Sequence, residues 1–258
     1  MKIEIRAKKK FGQHFLVDIE IAEKIANSLS YSNYDRILEV GPGTGVLTQF
    51  LMKKSAELHA IELDNESIPV LQSKFPEISN RLYNEDLLKW NEPQIFKENK
   101  FALIGNYPYN ISTQILFWML SRRSQIPEMV GMFQKEVGVR IASEPGNKNY
   151  GITSVLTQAY YDVEYLFSVG PESFNPPPRV QSGVIRLKKK STEPKIEYDI
   201  LKLIVKTAFN QRRKTLRNAL KSLNFVTNKV LDTVSGQRAE QLSVDQFISL
   251  SQSFKNVI

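Results

Sequence analysis

The sequence predicts an α/β protein with a doubly wound, mostly parallel sheet, followed by a small all-α C-terminal region. Strand-like and helix-like segments alternate from residue 36 onward, and a glycine-rich turn joins the first strand-like segment to a helical one. Residues 191–258 contain helical patterns and no convincing strand. Repeated strand–helix units are typical of a parallel sheet that is covered by helices on both faces.

Apolar spacing predicts the elements of this fold in turn. Residues 19–29 have the period of an amphipathic helix. Arg36–Val40 is a short apolar run that ends at glycines, as expected of a buried parallel strand, and a helix is expected at 46–51. The alternation continues with strand-like runs at 58–61, 81–83, 101–104 and 129–133 and helical runs at 67–75 and 111–120. Residues 163–169 and 180–187 flank a proline-rich loop and predict a late antiparallel pair.

Length and composition allow one or two domains. The chain has 258 residues, of which 41% are hydrophobic, enough for one sizeable core and a small appendage. After three lysines at 188–190, residues 191–194 have the composition of a linker. We therefore expect one domain over residues 1–190 and a second over residues 191–258.

The charge balance favours an anionic partner. The formal net charge is +8, and residues 191–258 hold 11 Lys and Arg against 6 Asp and Glu. A basic end surface of this kind is compatible with binding nucleic acid, although many basic proteins are simply soluble.

Several site types are excluded by composition. Cysteine is absent, and His14 and His59 stand far apart in the sequence. Disulfides, thiol nucleophiles and thiolate metal sites are therefore excluded, and we expect no catalytic metal. No uninterrupted apolar stretch approaches the ~20 residues that span a bilayer, and residues 1–6 lack an apolar signal core. We expect a cytoplasmic protein without membrane contact.

The glycine turn follows a strand and opens a helix, where glycine lets a nucleotide approach the backbone. The dinucleotide pattern G-x-G-x-x-G, counted from Gly41, requires a third glycine where Val46 stands. The glycines instead alternate as Gly41, Gly43 and Gly45 after the acidic Glu39. This pattern resembles the S-adenosylmethionine loop of the Rossmann-like class I methyltransferases.

Two acids follow the next two strands. Glu62 ends the second strand, about 20 residues beyond the loop, where a carboxylate can accept both ribose hydroxyl hydrogens. Asp86 comes just after the third strand and can accept the exocyclic amine of the cofactor's adenine. The alternative interpretation is that both are solvated strand-end charges or helix caps.

Asn106, Tyr107, Pro108 and Tyr109 follow the fourth strand, at the edge where open parallel sheets bind ligands. An adenine N6 amine is a poor nucleophile, so catalysis needs acceptors that hold its N–H groups and turn the lone pair toward a methyl donor. The side-chain oxygen of Asn106 and the main-chain carbonyl of Pro108 can serve, while Tyr109 stacks on the base. The alternative is an Asn-x-Pro turn that caps the helix after residue 111.

Residues 174–180 form a stiff, proline-rich segment between the two late strands. Phe174, at its start, can close the second face of a flipped adenine. A hairpin loop with a core-anchoring phenylalanine is the alternative.

Taken together, these motifs identify the chain as similar to the ribosomal RNA adenine dimethyltransferases that modify two adjacent adenosines near the 3′ end of small-subunit RNA. The matching segments are 10–16, the glycine loop, 61–64, 106–113, 134–137, 174–182 and 209–220. The resemblance implies cofactor contacts from His14, Leu16, Gly41, Glu62, Asp86 and Asn106. It likewise implies that the target base is held by Asn106, Pro108, Tyr109 and Phe174. Family members often carry Asn at position 14 and Leu at position 107.

Basic residues near the C-terminus are spaced as on a helix. They are Arg212, Arg213, Lys214, Arg217 and Lys221, and residues 8–10 add three lysines at the other end of the chain. In a nucleic-acid methyltransferase such cations are expected to contact phosphates, although a charge run is usually a solvated face.

The favoured hypothesis is a monomeric enzyme that transfers four methyl groups, two to each of two adenosines, within a small ribosomal subunit precursor. A rival from the same fold is the large-subunit RNA methylase of the macrolide-resistance type. The triple proline and residues 211–220 favour the small subunit. A rival of another class is a ribosome assembly factor or transcription-type cofactor in which methylation is incidental.

Overall fold

A computed structural model describes residues 7, 8, 12–223 and 229–254. Lys9, Lys10 and Phe11 lie outside the described residues. They belong to the motif at 10–16 and to the basic segment before residue 19, which is called the leader. The strands are β1 (Phe15–Leu16), β2 (Arg36–Val40), β3 (Glu57–Ile61), β4 (Leu82–Tyr83), β5 (Phe101–Asn106), β6 (Glu128–Gln134), β7 (Tyr161–Val169), β8 (Phe174–Asn175) and β9 (Ser182–Lys189). The α-helices are α1 (Ile19–Ala26), α2 (Thr48–Leu51), α3 (Ser67–Lys74), α4 (Gln94–Glu98), α5 (Ser112–Ser121), α6 (Lys135–Ala142), α7 (Ile152–Gln158), α8 (Tyr198–Asn210), α9 (Leu216–Ala219), α10 (Lys229–Val234) and α11 (Val244–Phe254).

Seven strands form one sheet in the order β4-β3-β2-β5-β6-β9-β7. The pairs from β4 to β6 are parallel, and β9 is antiparallel to β6. From the central β2 the chain winds outward through β3 and β4, then returns to the other side of β2 for β5 and β6. The carboxyl ends of β2 and β5 therefore form the switch point of the sheet, where open α/β sheets have their ligand crevice.

The predicted strands and the predicted doubly wound sheet are confirmed. The helix expected at residues 46–51 is shorter in the structure, where only Thr48–Leu51 is α-helical. The two late strands are neighbours in the sheet, and β9 lies between β6 and β7. A second, two-stranded sheet pairs β1 with β8 and was not predicted.

The central strands are apolar because helices cover both faces of the sheet. Ile37 and Leu38 of β2 are fully buried, as are Ala102 to Ile104 of β5. The buried cluster on one face also contains Leu16 and Phe174 from the two-stranded sheet. The core thus extends to the segment that precedes α1 and anchors the start of the proline-rich loop.

Contacts group the chain into two compact units. The first comprises Met1–Gly138 and Glu164–Lys189, and the second comprises Val139–Val163 and Lys190–Ile258. The first group ends at residue 189, close to the expected boundary, while the second also takes in a segment assigned to the first domain. The division into domains 1–190 and 191–258 stays a prediction.

Within the second unit, α7, α8 and α11 pack together, with Phe209 stacked on Phe247 at 5.8 Å between ring centroids. The described residues beyond Lys190 contain helices and no strand, as predicted. The basic residues that are spaced as on a helix do not lie on one continuous helix. Helix α8 ends at Asn210 and a turn carries Arg212, Arg213 and Lys214 before α9 begins.

Tertiary hydrogen bonds explain this interruption. In a continuous helix the Leu216 N–H would pair with a carbonyl four residues earlier. It donates instead to Gln237 O at 2.8 Å, and the Arg217 N–H donates to Ser235 O at 3.2 Å. Arg217 itself lies on α9 and Lys221 in a short 3-10 turn. Contacts distant in sequence thus override the local helical pattern.

Within the described ranges, no helix is both long and apolar enough to cross a membrane. The same part of the chain has no cluster of three or more His, Cys, Asp or Glu side chains placed to hold a metal ion.

Candidate active site

A cavity of about 250 Å³ opens at the switch point of the sheet. The ends of β2, β3 and β5, the loop after β4 and the segment that precedes α1 supply its walls. Seven of the nine residues predicted to contact the cofactor or the target base line it, namely His14, Gly41, Glu62, Asp86, Asn106, Pro108 and Tyr109. Residues spread over nearly a hundred positions of the chain are thereby brought together.

The glycine turn has the backbone conformation that its residues predicted. Gly41 and Gly43 have φ angles of +69° and +56°, in the left-handed region that disfavours side chains. A Cβ atom on Gly43 would also lie 2.9 Å from the ring of Phe15. The turn therefore presents bare backbone to the cavity.

Glu62 is buried, with 5% of its surface exposed. Its carboxylate accepts hydrogen bonds from the backbone N–H groups of Gly43 at 3.0 Å and Asp64 at 2.8 Å. Burial raises the pKa of Glu62, and these two amide donors oppose that rise. A carboxylate has about four acceptor positions, so two remain for a ligand. The alternative interpretation of Glu62 as a solvated charge is wrong.

Asp86 caps a turn and also borders the cavity. Its Oδ1 atom accepts from the Leu88 N–H at 2.9 Å and caps the 3-10 turn Leu87–Lys89. The residue also lines the cavity. The cap uses one carboxylate oxygen and leaves the other. The contact of Asp86 with a cofactor adenine stays a prediction.

Asn106 ends β5, and its side chain is oriented by the leader. Its Nδ2 group donates to His14 O at 2.9 Å, which leaves Oδ1 as an acceptor. The residue borders both the main cavity and a smaller one of about 30 Å³. Helix α5 has no side-chain cap. The interpretation of Asn106 as a helix cap is therefore wrong.

A turn nevertheless follows Asn106. Pro108 O accepts from the Ile111 N–H at 3.1 Å, and Ser112 Oγ donates to Tyr109 O at 3.2 Å. A carbonyl oxygen has two lone pairs, so Pro108 O keeps one acceptor position. Asn106 and Pro108 thus present one side-chain and one main-chain acceptor two positions apart in the same wall.

The Tyr109 ring is held at its edge and on one face. Its hydroxyl group is 2.6 Å from Ser182 Oγ. The His14 ring stacks on it, with 5.5 Å between ring centroids and 29° between planes. His14 in turn donates from Nδ1 to Pro176 O at 2.8 Å. An adenine that stacks on Tyr109 would use the remaining face or displace His14.

Leu16 and Phe174 are not brought to the main cavity. They face each other in the β1–β8 pair, and Phe174 is 4% exposed within the core. Leu16 borders the smaller cavity beside Gly41 and Asn106. The core-anchoring interpretation of Phe174 describes its position here, and its stacking on a base stays a prediction.

The sequence did not reveal how the Tyr107 ring packs. The residue is fully buried, and its ring covers Gly105 of β5 and Gly131 of β6, which are paired across the two strands. A Cβ atom at either glycine would collide with this ring. A large aromatic residue fits beneath Asn106 and Pro108 because two adjacent strands lack side chains at this position.

The leader is fastened to the wall by Asp64. Lys8 Nζ bonds Asp64 Oδ1 at 2.6 Å, and Gln13 Nε2 donates to Asp64 Oδ2 at 3.2 Å. Gln13 and its neighbours Gly12 and His14 line the cavity. No spacing in the sequence predicts these hydrogen bonds, because their partners are more than fifty residues apart.

The fold and the site together define a Rossmann-like class I methyltransferase. A solved dimethyladenosine transferase from Plasmodium falciparum superposes with a TM-score of 0.81 at 27% identity, covering 94% of this chain and 98% of that one. The structure of the 23S rRNA methyltransferase ErmE has a TM-score of 0.73 and covers 93% of this chain and 99% of its own, which at 23% identity shows the common fold.

Sequence comparison gives the family. The model for ribosomal RNA adenine dimethylase matches residues 4–256. Ribosomal RNA small subunit methyltransferase A of Flavobacterium johnsoniae is 49% identical over 253 residues, covering 98% of this chain and 97% of the relative. The Cytophaga hutchinsonii protein of the same name is 51% identical over 253 residues, covering 96% and 97%. The chain belongs to the ribosomal RNA adenine dimethylase family, and the predicted family and enzyme class are confirmed.

Proposed function

We propose that this enzyme transfers four methyl groups from S-adenosylmethionine to two adjacent adenosines near the 3′ end of small-subunit ribosomal RNA. The observation that carries the proposal is the pair of acceptors, Asn106 Oδ1 and Pro108 O, in the wall of a cavity that Glu62 and Asp86 also line. The small-subunit target is supported by the names of the relatives from Flavobacterium johnsoniae and Cytophaga hutchinsonii.

The cavity residues fit S-adenosylmethionine. Glu62 has acceptor positions left for two ribose hydroxyl groups, and Asp86 retains a carboxylate oxygen for the adenine amine. Leu63 adds an apolar wall, because its side chain is partly exposed and lines the cavity. We assign the remaining contacts to His14, Leu16 and Gly41, with Asn106 at the junction of cofactor and base.

The protein supplies orientation rather than a strong base. The donor carries its methyl group on a sulfonium sulfur, and that C–S bond breaks as the amine lone pair forms the new N–C bond. Asn106 Oδ1 and Pro108 O accept the two N–H groups of the amine and thereby direct its lone pair toward the donor. One proton leaves the nitrogen in each transfer. Positioning of this kind can supply most of the acceleration.

The target base is held between the acceptors and an aromatic face. We place the adenine on Tyr109, whose ring is already fixed at its hydroxyl group. His14 covers one face of this ring, so adenine either takes the other face or replaces the imidazole. Phe174 completes the stack only if its buried side chain becomes accessible. Phe174→Ala should therefore affect stability as well as turnover.

The exposed cations of the second unit are the proposed phosphate contacts. Arg213 and Lys214 are exposed and make no ion pair with any residue that the structure describes. Arg212 is partly occupied, because it donates to Lys148 O at 2.8 Å and lies 3.6 Å from Glu240. We propose a monomer that acts on a small-subunit precursor in the cytoplasm.

A substrate panel tests this function. Wild-type enzyme and labelled S-adenosylmethionine are incubated with undermethylated small subunits, large subunits, naked ribosomal RNA and duplex DNA. We expect label in small-subunit RNA as N6,N6-dimethyladenosine at two neighbouring positions. Label confined to large subunits or DNA would overturn the target, and binding to small subunits without label would favour an assembly factor.

A further inference from the structure

Ser182 is fully buried, and its hydroxyl oxygen lies 2.6 Å from the hydroxyl oxygen of Tyr109. It is the first residue of β9 and belongs to the matched segment 174–182. The proposed function assigns roles to residues of that segment and of 106–109 but none to this serine. Its contact with the ring that would receive the adenine suggests a task in the reaction.

The direction of β9 explains why a serine distant in sequence reaches the site. Strand β9 is antiparallel to β6, and Ser182 pairs with Gln134 at the carboxyl end of β6. The start of β9 therefore lies at the same edge of the sheet as the end of β5, which carries Asn106. The next residue, Gly183, is covered by the ring of Tyr165.

The bond fixes the Tyr109 ring at the end farthest from its backbone. At the other end, Tyr109 O accepts from Ser112 Oγ at 3.2 Å. Tyr109 has only two side-chain torsions, so a hydrogen bond at the hydroxyl group selects one ring orientation. Without it the ring would be held by the stack with His14, which an entering base can displace.

We propose that Ser182 is a positioning residue that fixes Tyr109 as the stacking platform for the target adenine, and that its effect is greatest in the second methyl transfer. This inference rests on the proposed placement of the adenine on Tyr109. In the first transfer two N–H groups can bond to Asn106 Oδ1 and Pro108 O. After one methyl group is added, only one N–H remains, so stacking carries more of the orientation.

The product ratio therefore distinguishes this role from a purely structural one. Ser182→Ala should slow the second transfer on the order of tenfold and the first by about threefold or less, so N6-monomethyladenosine accumulates. Tyr109→Phe removes the same bond from the other side and should give the same ratio. Ser182→Thr, which keeps the hydroxyl group, should restore dimethylation.

The experiment is a single-turnover reaction on undermethylated small subunits with saturating labelled S-adenosylmethionine, followed by digestion and separation of mono- and dimethyladenosine. Ser251→Ala is the matched control, because this buried serine in α11 also loses one hydrogen bond, to Phe247 O at 2.7 Å. It should lower stability while the product ratio stays as in wild type.

A double-mutant cycle decides the outcome. Adding Ser182→Ala to Tyr109→Phe should cause no further change in ratio, because both partners are then absent. A further loss in the double variant, or an unchanged ratio in Ser182→Ala, would overturn the positioning role.

Tyr109→Ala separates the role of Ser182 from the proposed placement of the base. If it methylates normally, the proposed base placement fails, whereas if it loses transfer while Ser182→Ala retains the wild-type ratio, only the role of Ser182 fails.

Discussion

Two carboxyl groups next to the glycine turn have different surroundings and therefore different tasks. Glu62 lines the cavity and holds two backbone N–H groups. Glu39, at 1% exposure, accepts one hydrogen bond from Thr48 Oγ1 at 2.7 Å. Burial raises the pKa of Glu39 to about 8, the Thr48 bond opposes the rise, and the charge of Glu62 adds to it. Glu39 is therefore mostly neutral at pH 7.

This raised pKa makes stability depend on pH in a defined direction. The folded state keeps the Glu39 proton up to about pH 8, whereas the unfolded chain loses it near the ordinary glutamate pKa of 4.5. Because the folded state binds more protons in this window, the contribution of Glu39 is most favourable below pH 4.5 and is lost as pH rises toward 8.

Replacing Glu39 with Gln should remove this dependence. Between pH 5 and 8, the free energy of unfolding of Glu39→Gln relative to wild type should rise by about 1.4 kcal/mol per pH unit. Urea unfolding at several pH values measures it. The exposed Glu98→Gln is the control and should show little change. A constant difference between Glu39→Gln and wild type across the range would contradict the raised pKa.

The site residues that the sequence revealed are those at strand ends. Glu62 and Asn106 follow apolar runs, and the carboxyl ends of parallel strands meet at one edge, so their convergence was predictable. The contacts of His14 with Tyr109 and Pro176 were not, because they depend on how the leader crosses the cavity. The same holds for the contact of Ser182 with Tyr109, which depends on the register of β9.

The turn between α8 and α9 carries three cations, one of which contacts other residues of the protein. Arg213 and Lys214 are exposed, whereas Arg212 contacts Lys148 and Glu240. The helical spacing of these residues was visible in the sequence. The turn was not, since it depends on hydrogen bonds from α9 to residues near 236. A test of phosphate contact should therefore spare Arg212.

The double variant Arg213→Ala, Lys214→Ala should bind small-subunit RNA more weakly. If both cations contact phosphates, the slope of log K against log salt should become shallower by roughly 1.4 to 1.8. Filter binding over a series of salt concentrations measures the slope. Binding of free S-adenosylmethionine should be unchanged.

Lys97→Ala, Lys100→Ala is the control with equal change in charge. Both lysines are exposed near α4 in the first unit. This control should retain the wild-type slope. Equal slopes for all three proteins would show that the turn does not contact phosphates, while equal losses in both variants would indicate a general charge effect.

Across the whole molecule, the order of strands brings the motifs together. The chain returns past β2 between β4 and β5, and this switch point places the glycine turn beside Asn106. Alternating periodicity predicted the parallel sheet because buried strands and amphipathic helices have distinct apolar patterns. It did not predict the small β1–β8 sheet, whose strands have two residues each and carry no periodicity. Nor did it predict that residues 139–163 group with the C-terminal unit.

The most direct measurement compares wild type with Asn106→Ala on undermethylated small subunits, with labelled S-adenosylmethionine and product mapping. Asn91→Ala, at an exposed loop position, is the matched control. Because Asn106 is the proposed acceptor that orients the amine, we expect Asn106→Ala to lose transfer by at least about a thousandfold while circular dichroism and melting match wild type. Asn91→Ala should methylate normally. Near-normal dimethylation by folded Asn106→Ala would contradict the assignment of methyl transfer to this site.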